Sequence, residues 1–180
     1  MFSAQRISFQ GSLGEDLAAR LDLPAGQVKA FALFAHCFTC SKDIFAASRI
    51  SAELASRGVA VLRFDFTGLG ASGGDFANTS FSTNVRDLVH AADFLRDNFE
   101  APSLLIGHSL GGTAVLAAAC DIPEAKAVVT IGSPAHVEHV LQNFGAELER
   151  IEAEGAADIT LAGRNFRIRK DFVDDARAQD

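Results

Sequence analysis

A short glycine-rich segment, GHSLGG at residues 107–112, restricts the fold of this chain more than any other stretch. It follows the apolar run SLLIG (residues 103–107) and opens the run LGGTAVLAAAC (residues 110–120), which has the composition of a buried helix. A turn this tight between a strand and a helix forces its middle residue, Ser109, into a positive φ, and only small neighbours avoid the adjacent backbone. We therefore predict that the Ser109 hydroxyl projects from the carboxyl edge of a sheet.

Strand-like and helix-like segments alternate along the rest of the chain, which is typical of a mostly parallel sheet with helices on both faces. The predicted strands are residues 5–10, 17–24, 28–36, 59–66, 103–107 and 127–132, and the predicted helices are residues 43–58, 82–99 and 110–120. The sequence therefore predicts an α/β fold.

Composition and charge restrict the class of protein. The 180 residues are 48% hydrophobic and 22% charged, which suits one globular core, and the net charge of −7 argues against nucleic acid as a partner. Apolar runs are too short for a transmembrane helix and the first residues lack the pattern of a signal peptide, so we expect no membrane association and a cytoplasmic location. Three cysteines, an odd number, favour reduced thiols over a disulfide framework.

Three motifs together resemble the α/β-hydrolase family over nearly the whole chain: AHCFTCSKD (residues 35–43), RFDFTGLGASGGDF (residues 63–76) and GHSLGG. More narrowly, they resemble the hydrolase domain of bacterial proteins in which this domain is fused to an OsmC-type domain. The resemblance implies a three-layer α/β-hydrolase fold. It also implies hydrolysis of a carboxylester, thioester or amide in a small acyl substrate through an acyl-enzyme, with no cofactor and no metal.

The same resemblance assigns roles to individual residues. Ser109 is the expected nucleophile, and the backbone N–H groups of Leu110 and Phe38 are the expected oxyanion donors. His108 is expected to point away from Ser109, and His36 to bond to backbone rather than act as a base. Supporting positions at the turn and in the neighbouring loop are Gly107, His108, Gly111 and His36.

The general base and its carboxylate are the missing parts, because in this family they follow the serine on later strands. After residues 127–132 no comparable strand appears. Residues 137–152 place apolar side chains on one helical face, residues 158–170 favour a hairpin around Gly163, and residues 171–180 favour a polar helix. We therefore divide the chain into a core, residues 1–135, and a segment resembling a cap, residues 136–180, and expect it to stop before the last strands.

This organisation leaves alternatives open. His136 is a candidate base, although it is also expected to lie, with His139, solvated or beside a pocket at the start of the cap. With the sixth strand at a sheet edge, the chain is expected to form a homodimer, to aggregate, or to fold the cap over the gap. A non-catalytic binding or interaction protein is the second functional class. Cys37 and Cys40, spaced C-x-x-C, raise a thiol redox protein as a third.

Overall fold

A six-stranded sheet forms the centre of the computed structural model, which describes residues 3–179. Its strands are β1 (Ser3–Gln10), β2 (Asp16–Leu23), β3 (Ala30–Ala35), β4 (Val59–Phe64), β5 (Leu104–His108) and β6 (Ala127–Ile131). They lie in the order β1-β2-β4-β3-β5-β6, with β1, β2 and β4 paired antiparallel and β4, β3, β5 and β6 paired parallel. The prediction of a mostly parallel sheet is confirmed.

Helices cover both faces of this sheet, which confirms the three-layer architecture. The helices are α1 (Phe45–Ser56), α2 (Phe81–Asn98) and α3 (Leu110–Ala118). Successive residues of a strand point to opposite faces. On β3, Phe34 therefore joins the small apolar cluster beneath α1, whereas Leu33 joins the larger cluster that includes α2 and α3. A parallel sheet needs this cover on both sides, because its strands are apolar on both faces.

The segment after β6 packs on the same large apolar cluster. It consists of a 3-10 helix (Val137–Phe144), α4 (Glu147–Glu154), a hairpin of β7 (Ala156–Leu161) and β8 (Arg164–Arg169), and α5 (Lys170–Arg177). The single helix predicted for residues 137–152 is instead two helices, because Gly145 between them adopts a φ of 53° that no α-helix contains. The apolar side chains predicted for its one face nevertheless pack on the core. The division of the chain at residue 135 stays an interpretation of the sequence.

Strand β6 lies at one edge of the sheet, and within residues 3–179 it pairs only with β5. Val129 and Ile131 on this strand are 45% and 36% exposed, and Leu116 on the adjacent α3 is 52% exposed. One end of the sheet therefore presents apolar side chains and an unpaired strand to solvent. Of the helices between residues 3 and 179, none combines the length and the apolar character required for crossing a membrane.

Candidate active site

Ser109 occupies the turn between β5 and α3 with a φ of 54° and a ψ of −128°. This region of backbone conformation is sparsely populated for any residue other than glycine, and residues held there cluster at functional sites. Two backbone hydrogen bonds hold the turn: the Ser109 N–H donates to the carbonyl oxygen of Ile131 (2.9 Å), and the Gly112 N–H donates to the carbonyl oxygen of Ser109 (2.8 Å). The positive φ predicted for Ser109 is confirmed.

The glycines around Ser109 are required by the close approach of backbone segments. A Cβ on Gly107 would overlap the backbone of Gly111 and Gly112. A Cβ on Gly111 would lie 2.7 Å from the carbonyl oxygen of Ala35 and overlap that of His36. Strand β5, helix α3 and the end of β3 therefore meet so closely that glycine alone fits at the junction.

A cavity of about 270 Å³ opens beside this turn. Its walls bring together the three residues that the resemblance assigns to the chemistry: Ser109, Leu110 and Phe38. The other walls are Gly132, Ser133, Pro134, His139, Val140 and Asn143. Because α3 begins at Leu110, the first N–H groups of that helix have no partner within it and the positive end of its dipole faces this cavity. The arrangement favours negative charge developing next to Ser109.

His36 begins the loop after β3, residues 36–43, which we call the oxyanion loop. Its ring is buried, with Nδ1 2.8 Å from the carbonyl oxygen of Cys37, while the Phe66 N–H donates to Nε2 (3.4 Å). These partners require a neutral ring with its proton on Nδ1. Burial lowers the pKa of His36 below its ordinary value of 6.5. His36 therefore holds the loop in place with both ring nitrogens.

A buried carboxylate connects the oxyanion loop with the loop after β4. Asp65 accepts hydrogen bonds from Lys42 Nζ (2.7 Å) and from the Ala71 N–H (2.9 Å). A second link comes from Arg63, which donates to the carbonyl oxygen of Lys42 (2.6 Å) and is paired with buried Asp22 (2.7 Å). Breaking a buried ion pair is costly, so these links fix the end of the oxyanion loop.

Cys37 and Cys40 form a disulfide, with their Cα atoms 5.3 Å apart, and Cys120 is a free, exposed thiol. The expectation of reduced thiols is therefore wrong for Cys37 and Cys40. An odd number of cysteines carries no information about a local pair. Two cysteines three residues apart in a tight turn already have the Cα separation that a disulfide needs, and here the Cys40 N–H donates to the carbonyl oxygen of Cys37 (3.0 Å).

The structure places the other histidines differently from one another. The Nδ1 of His108 is buried without a hydrogen-bond partner among the described residues. His136 lines a neighbouring, more open cavity of about 760 Å³, whereas His139 lines both that cavity and the one beside Ser109. Sequence reasoning gave His139 no role of its own. Periodicity indicated an α-helix here, and the structure has a 3-10 helix instead, although the apolar side chains predicted to share one face, Val137, Val140, Leu141 and Phe144, are all buried.

A complete triad is not assembled within residues 3–179. The Ser109 side chain makes no capping hydrogen bond at the start of α3, and no Asp or Glu is among the described walls of the 270 Å³ cavity. The described residues thus supply a strained serine, two neighbouring backbone segments and a helix N-terminus.

Comparison with known proteins identifies relatives that share this architecture. Residues 32–180 match the alpha/beta hydrolase family. The crystal structure of the esterase domain of a Rhodothermus marinus protein is 46% identical, with a TM-score of 0.73 over 99% of this chain and 69% of that one. The structure of mouse alpha/beta hydrolase domain-containing protein 10 is 26% identical, with a TM-score of 0.73 over 97% of this chain and 70% of that one.

A curated relative has a sequence identity between those of the two structures. Mouse mitochondrial palmitoyl-protein thioesterase ABHD10 is 33% identical in an alignment of 129 residues, which covers 67% of this chain and 42% of the relative. The chain thus spans less than half the length of this curated relative. Since the family match extends over most of the chain and the fold and the serine turn agree with it, the chain belongs to the alpha/beta hydrolase family.

Proposed function

We propose that this chain is a serine hydrolase that cleaves a carboxylester, thioester or amide through an acyl-enzyme on Ser109. The observation that carries the proposal is the strained backbone of Ser109 at the N-terminus of α3, facing a cavity that also exposes Phe38 and Leu110. The relatives described above are named as an esterase and a thioesterase, which favours esters and thioesters over amides.

The proposed reaction begins with attack of the Ser109 oxygen on the carbonyl carbon of the substrate. As the new C–O bond forms, the carbonyl oxygen gains negative charge and accepts hydrogen bonds from the N–H groups of Leu110 and Phe38. The alcohol or thiol leaves with a proton, and water then attacks the acyl-Ser109 ester to release the acid. The dipole of α3 stabilises the oxyanion in both steps.

The proton of Ser109 needs an acceptor. Two histidines lie at this edge within residues 3–179: His136, the candidate base, which lines the neighbouring cavity, and His139, which lines the same cavity as Ser109. We propose that the base and its carboxylate come from outside these residues, in a longer polypeptide or a partner, and that the 180-residue chain alone is nearly inactive. Without a base, the oxyanion hole and binding alone retain about a thousandfold to ten-thousandfold rate enhancement over water.

Hydrolysis of p-nitrophenyl acetate and covalent labelling test this proposal. A fluorophosphonate probe is expected to add slowly to Ser109, as located by peptide mass spectrometry, and the Ser109→Ala variant is expected to remain unlabelled. Ser133 lines the same cavity, so Ser133→Ala is the matched control and should label at the wild-type rate. Labelling at Ser133, or no labelling at all, would reject Ser109 as the nucleophile. Rapid ester turnover that requires Ser109 would reject only the proposal that the base comes from outside residues 3–179.

The second candidate is a non-catalytic member of the family that uses the cavity for binding. The observation that favours it is that no Asp or Glu is among the described walls of the cavity beside Ser109. This candidate predicts that the probe does not react with Ser109 while an acyl ligand still binds.

The narrower resemblance to domains fused to OsmC stays a prediction. The cytoplasmic location also stays a prediction, and the mouse relative is named as mitochondrial.

A further inference from the structure

The Cys37–Cys40 disulfide closes the part of the oxyanion loop that carries Phe38 and Thr39. Phe38 is the residue whose N–H is the proposed second oxyanion donor, so the bridge encloses a component of the active site. Both cysteines are half-buried rather than sealed in the core. The bridge therefore lies in a part of the loop that is not enclosed by the core.

The loop between the two cysteines has a strained backbone. Thr39 has a φ of 62°, which is unusual for a β-branched residue. Such conformations persist only when the surroundings hold them in place. Besides the disulfide, three hydrogen bonds hold this turn. The Cys37 carbonyl oxygen accepts from the Cys40 N–H (3.0 Å) and from His36 Nδ1 (2.8 Å), and the Thr39 carbonyl oxygen accepts from Arg164 Nη1 (3.1 Å).

The side chain of Phe38 is held independently of the bridge. Its ring packs against Phe76, Phe144 and Phe172, with centroid distances of 5.6, 6.3 and 5.5 Å. The ring is therefore anchored by contacts that do not involve the bridge. The part of the loop that the bridge constrains is the backbone of residues 37–40, including the Phe38 N–H.

We infer that Cys37–Cys40 is a redox modification site that controls the oxyanion hole. The bridged form orders the Phe38 N–H at the cavity, and reduction by a dithiol disorders it. One thiolate of the reductant attacks a Cys sulfur, breaks the S–S bond and releases the other cysteine as a thiolate. The second thiolate of the reductant then attacks the reductant sulfur of the mixed disulfide and expels the remaining cysteine thiolate. Two electrons pass from the reductant, which becomes a cyclic disulfide, to the protein, which gains two thiols. A small disulfide reverses the exchange.

The first experiment measures the redox state of the loop. The chain is alkylated with N-ethylmaleimide under denaturing conditions before and after treatment with dithiothreitol, and the adducts are counted by intact mass. One adduct, on Cys120, is expected before reduction, and three after it, since the chain has three cysteines. Three adducts in protein purified without reductant and treated with oxidised glutathione would overturn the inference, because the bridge would not form.

The second experiment measures what the bridge does, and its interpretation as an active-site switch rests on the proposed function. Fluorophosphonate labelling of Ser109 is expected to slow about tenfold or more on reduction, since loss of one oxyanion donor costs about a hundredfold or more. The Cys37→Ser/Cys40→Ser variant should label as slowly with or without reductant. Cys120→Ser, which removes the distant free thiol, should respond to reductant as the wild type does.

Hydrogen exchange of the Phe38 amide separates failure of the switch from failure of the proposed function. If the probe labels Ser109 equally fast in both redox states, the switch is rejected and the nucleophile stands. If the probe never reacts, Ser109 is rejected as the nucleophile, and amide exchange alone then tests whether the bridge controls the order of the loop. Exchange at Phe38 that is about tenfold faster after reduction supports a redox-controlled loop, and unchanged exchange overturns it. Both readouts use reduced wild-type protein, so a poorly folding variant does not prevent the test.

Discussion

At the scale of single residues, the site depends on backbone positions that tolerate no ordinary side chain. Ser109 holds its positive φ because β5, α3 and the end of β3 pack within atomic contact of one another around it. Gly107 and Gly111 permit that contact, and His36 and Asp65 fix the loop opposite. The position of the Ser109 hydroxyl, and with it the chemistry expected of Ser109, therefore depends on how these supporting residues pack.

The close contact at Gly107 leads to a stability prediction. Gly107→Ala places a Cβ inside the backbone of Gly111 and Gly112, neither of which can rotate away. We expect the free energy of unfolding to fall by about 3 kcal/mol or more, measured by urea titration. Gly26→Ala is the control, because a Cβ there meets nothing within 4 Å, and it should change stability by less than about 0.5 kcal/mol. Equal effects of the two variants would contradict the close packing.

The buried ring of His36 leads to a pH prediction. Burial lowers its pKa from 6.5 in the folded state, so the unfolded chain binds the proton more readily. The stabilising contribution of neutral His36 is complete above the unfolded-state pKa and declines as the pH falls from there toward the folded-state pKa. Between about pH 8 and pH 5, wild type should lose stability more steeply than His36→Asn, by up to about 1.4 kcal/mol per pH unit.

Exposed His90 provides the control for this measurement, because its ring lies at the surface. The His90→Asn curve shows the effect of replacing a histidine outside the buried site, and the His36→Asn curve is compared with it. A His36→Asn variant with the same steepness as wild type would show that the His36 proton is bound equally well in both states.

At the scale of elements, the segment after β6 is joined to the core by aromatic rings. Phe172 of α5 is 2% exposed and lies 6.0 Å from Phe144 and 5.5 Å from Phe38, between centroids. A further link is Asp175, whose carboxylate accepts from the N–H (2.8 Å) and hydroxyl (2.6 Å) of Ser82 at the start of α2. These contacts make α5 part of the wall that supports the oxyanion loop.

Truncating that ring tests the packing of the whole segment. Phe172→Ala should lower the free energy of unfolding by about 3 to 5 kcal/mol, because it leaves a cavity among several aromatic side chains. Phe45 is 74% exposed, so Phe45→Ala serves as the matched control and should cost less than about 1 kcal/mol. Thermal or urea unfolding measures both. A small effect at Phe172 would mean that residues 136–179 fold apart from the sheet.

Elements with a clear hydrophobic period were predictable, and features set by contact between distant segments were not. The order of strands and helices follows from apolar runs and from the helical spacing of apolar residues in α1 and α2. The turn at Ser109 was predictable because its glycines admit few other structures. The 3-10 helix that brings His139 to the cavity, and the Cys37–Cys40 bridge, depend on local pitch and on loop geometry that hydropathy does not encode.

At the scale of the whole molecule, the two edges of the sheet differ. The β1 edge carries mainly polar and charged side chains, whereas β6 exposes Val129 and Ile131 next to Leu116 of α3. An unpaired strand with apolar neighbours is a surface on which another strand can add. We propose that two copies associate through β6.

Light scattering coupled to size-exclusion chromatography measures this association. Wild type is expected to elute as a dimer, and Val129→Lys to shift it toward the monomer, because a charge on an edge strand opposes pairing. Leu13→Lys, at an exposed site (40%) in the turn between β1 and β2, is the control and should leave the dimer intact. A wild-type chain that is monomeric at every concentration would reject the proposed interface.

A hydrogen bond from the Ser109 N–H to the Ile131 carbonyl oxygen joins the serine turn to the edge strand. The outermost strand thus forms one wall of the turn in which Ser109 lies. Any polypeptide that adds to this strand would immobilise Ile131 and, through one peptide group, Ser109 itself. Association through β6 is therefore expected to restrict the backbone motion of Ser109 as well as that of Ile131.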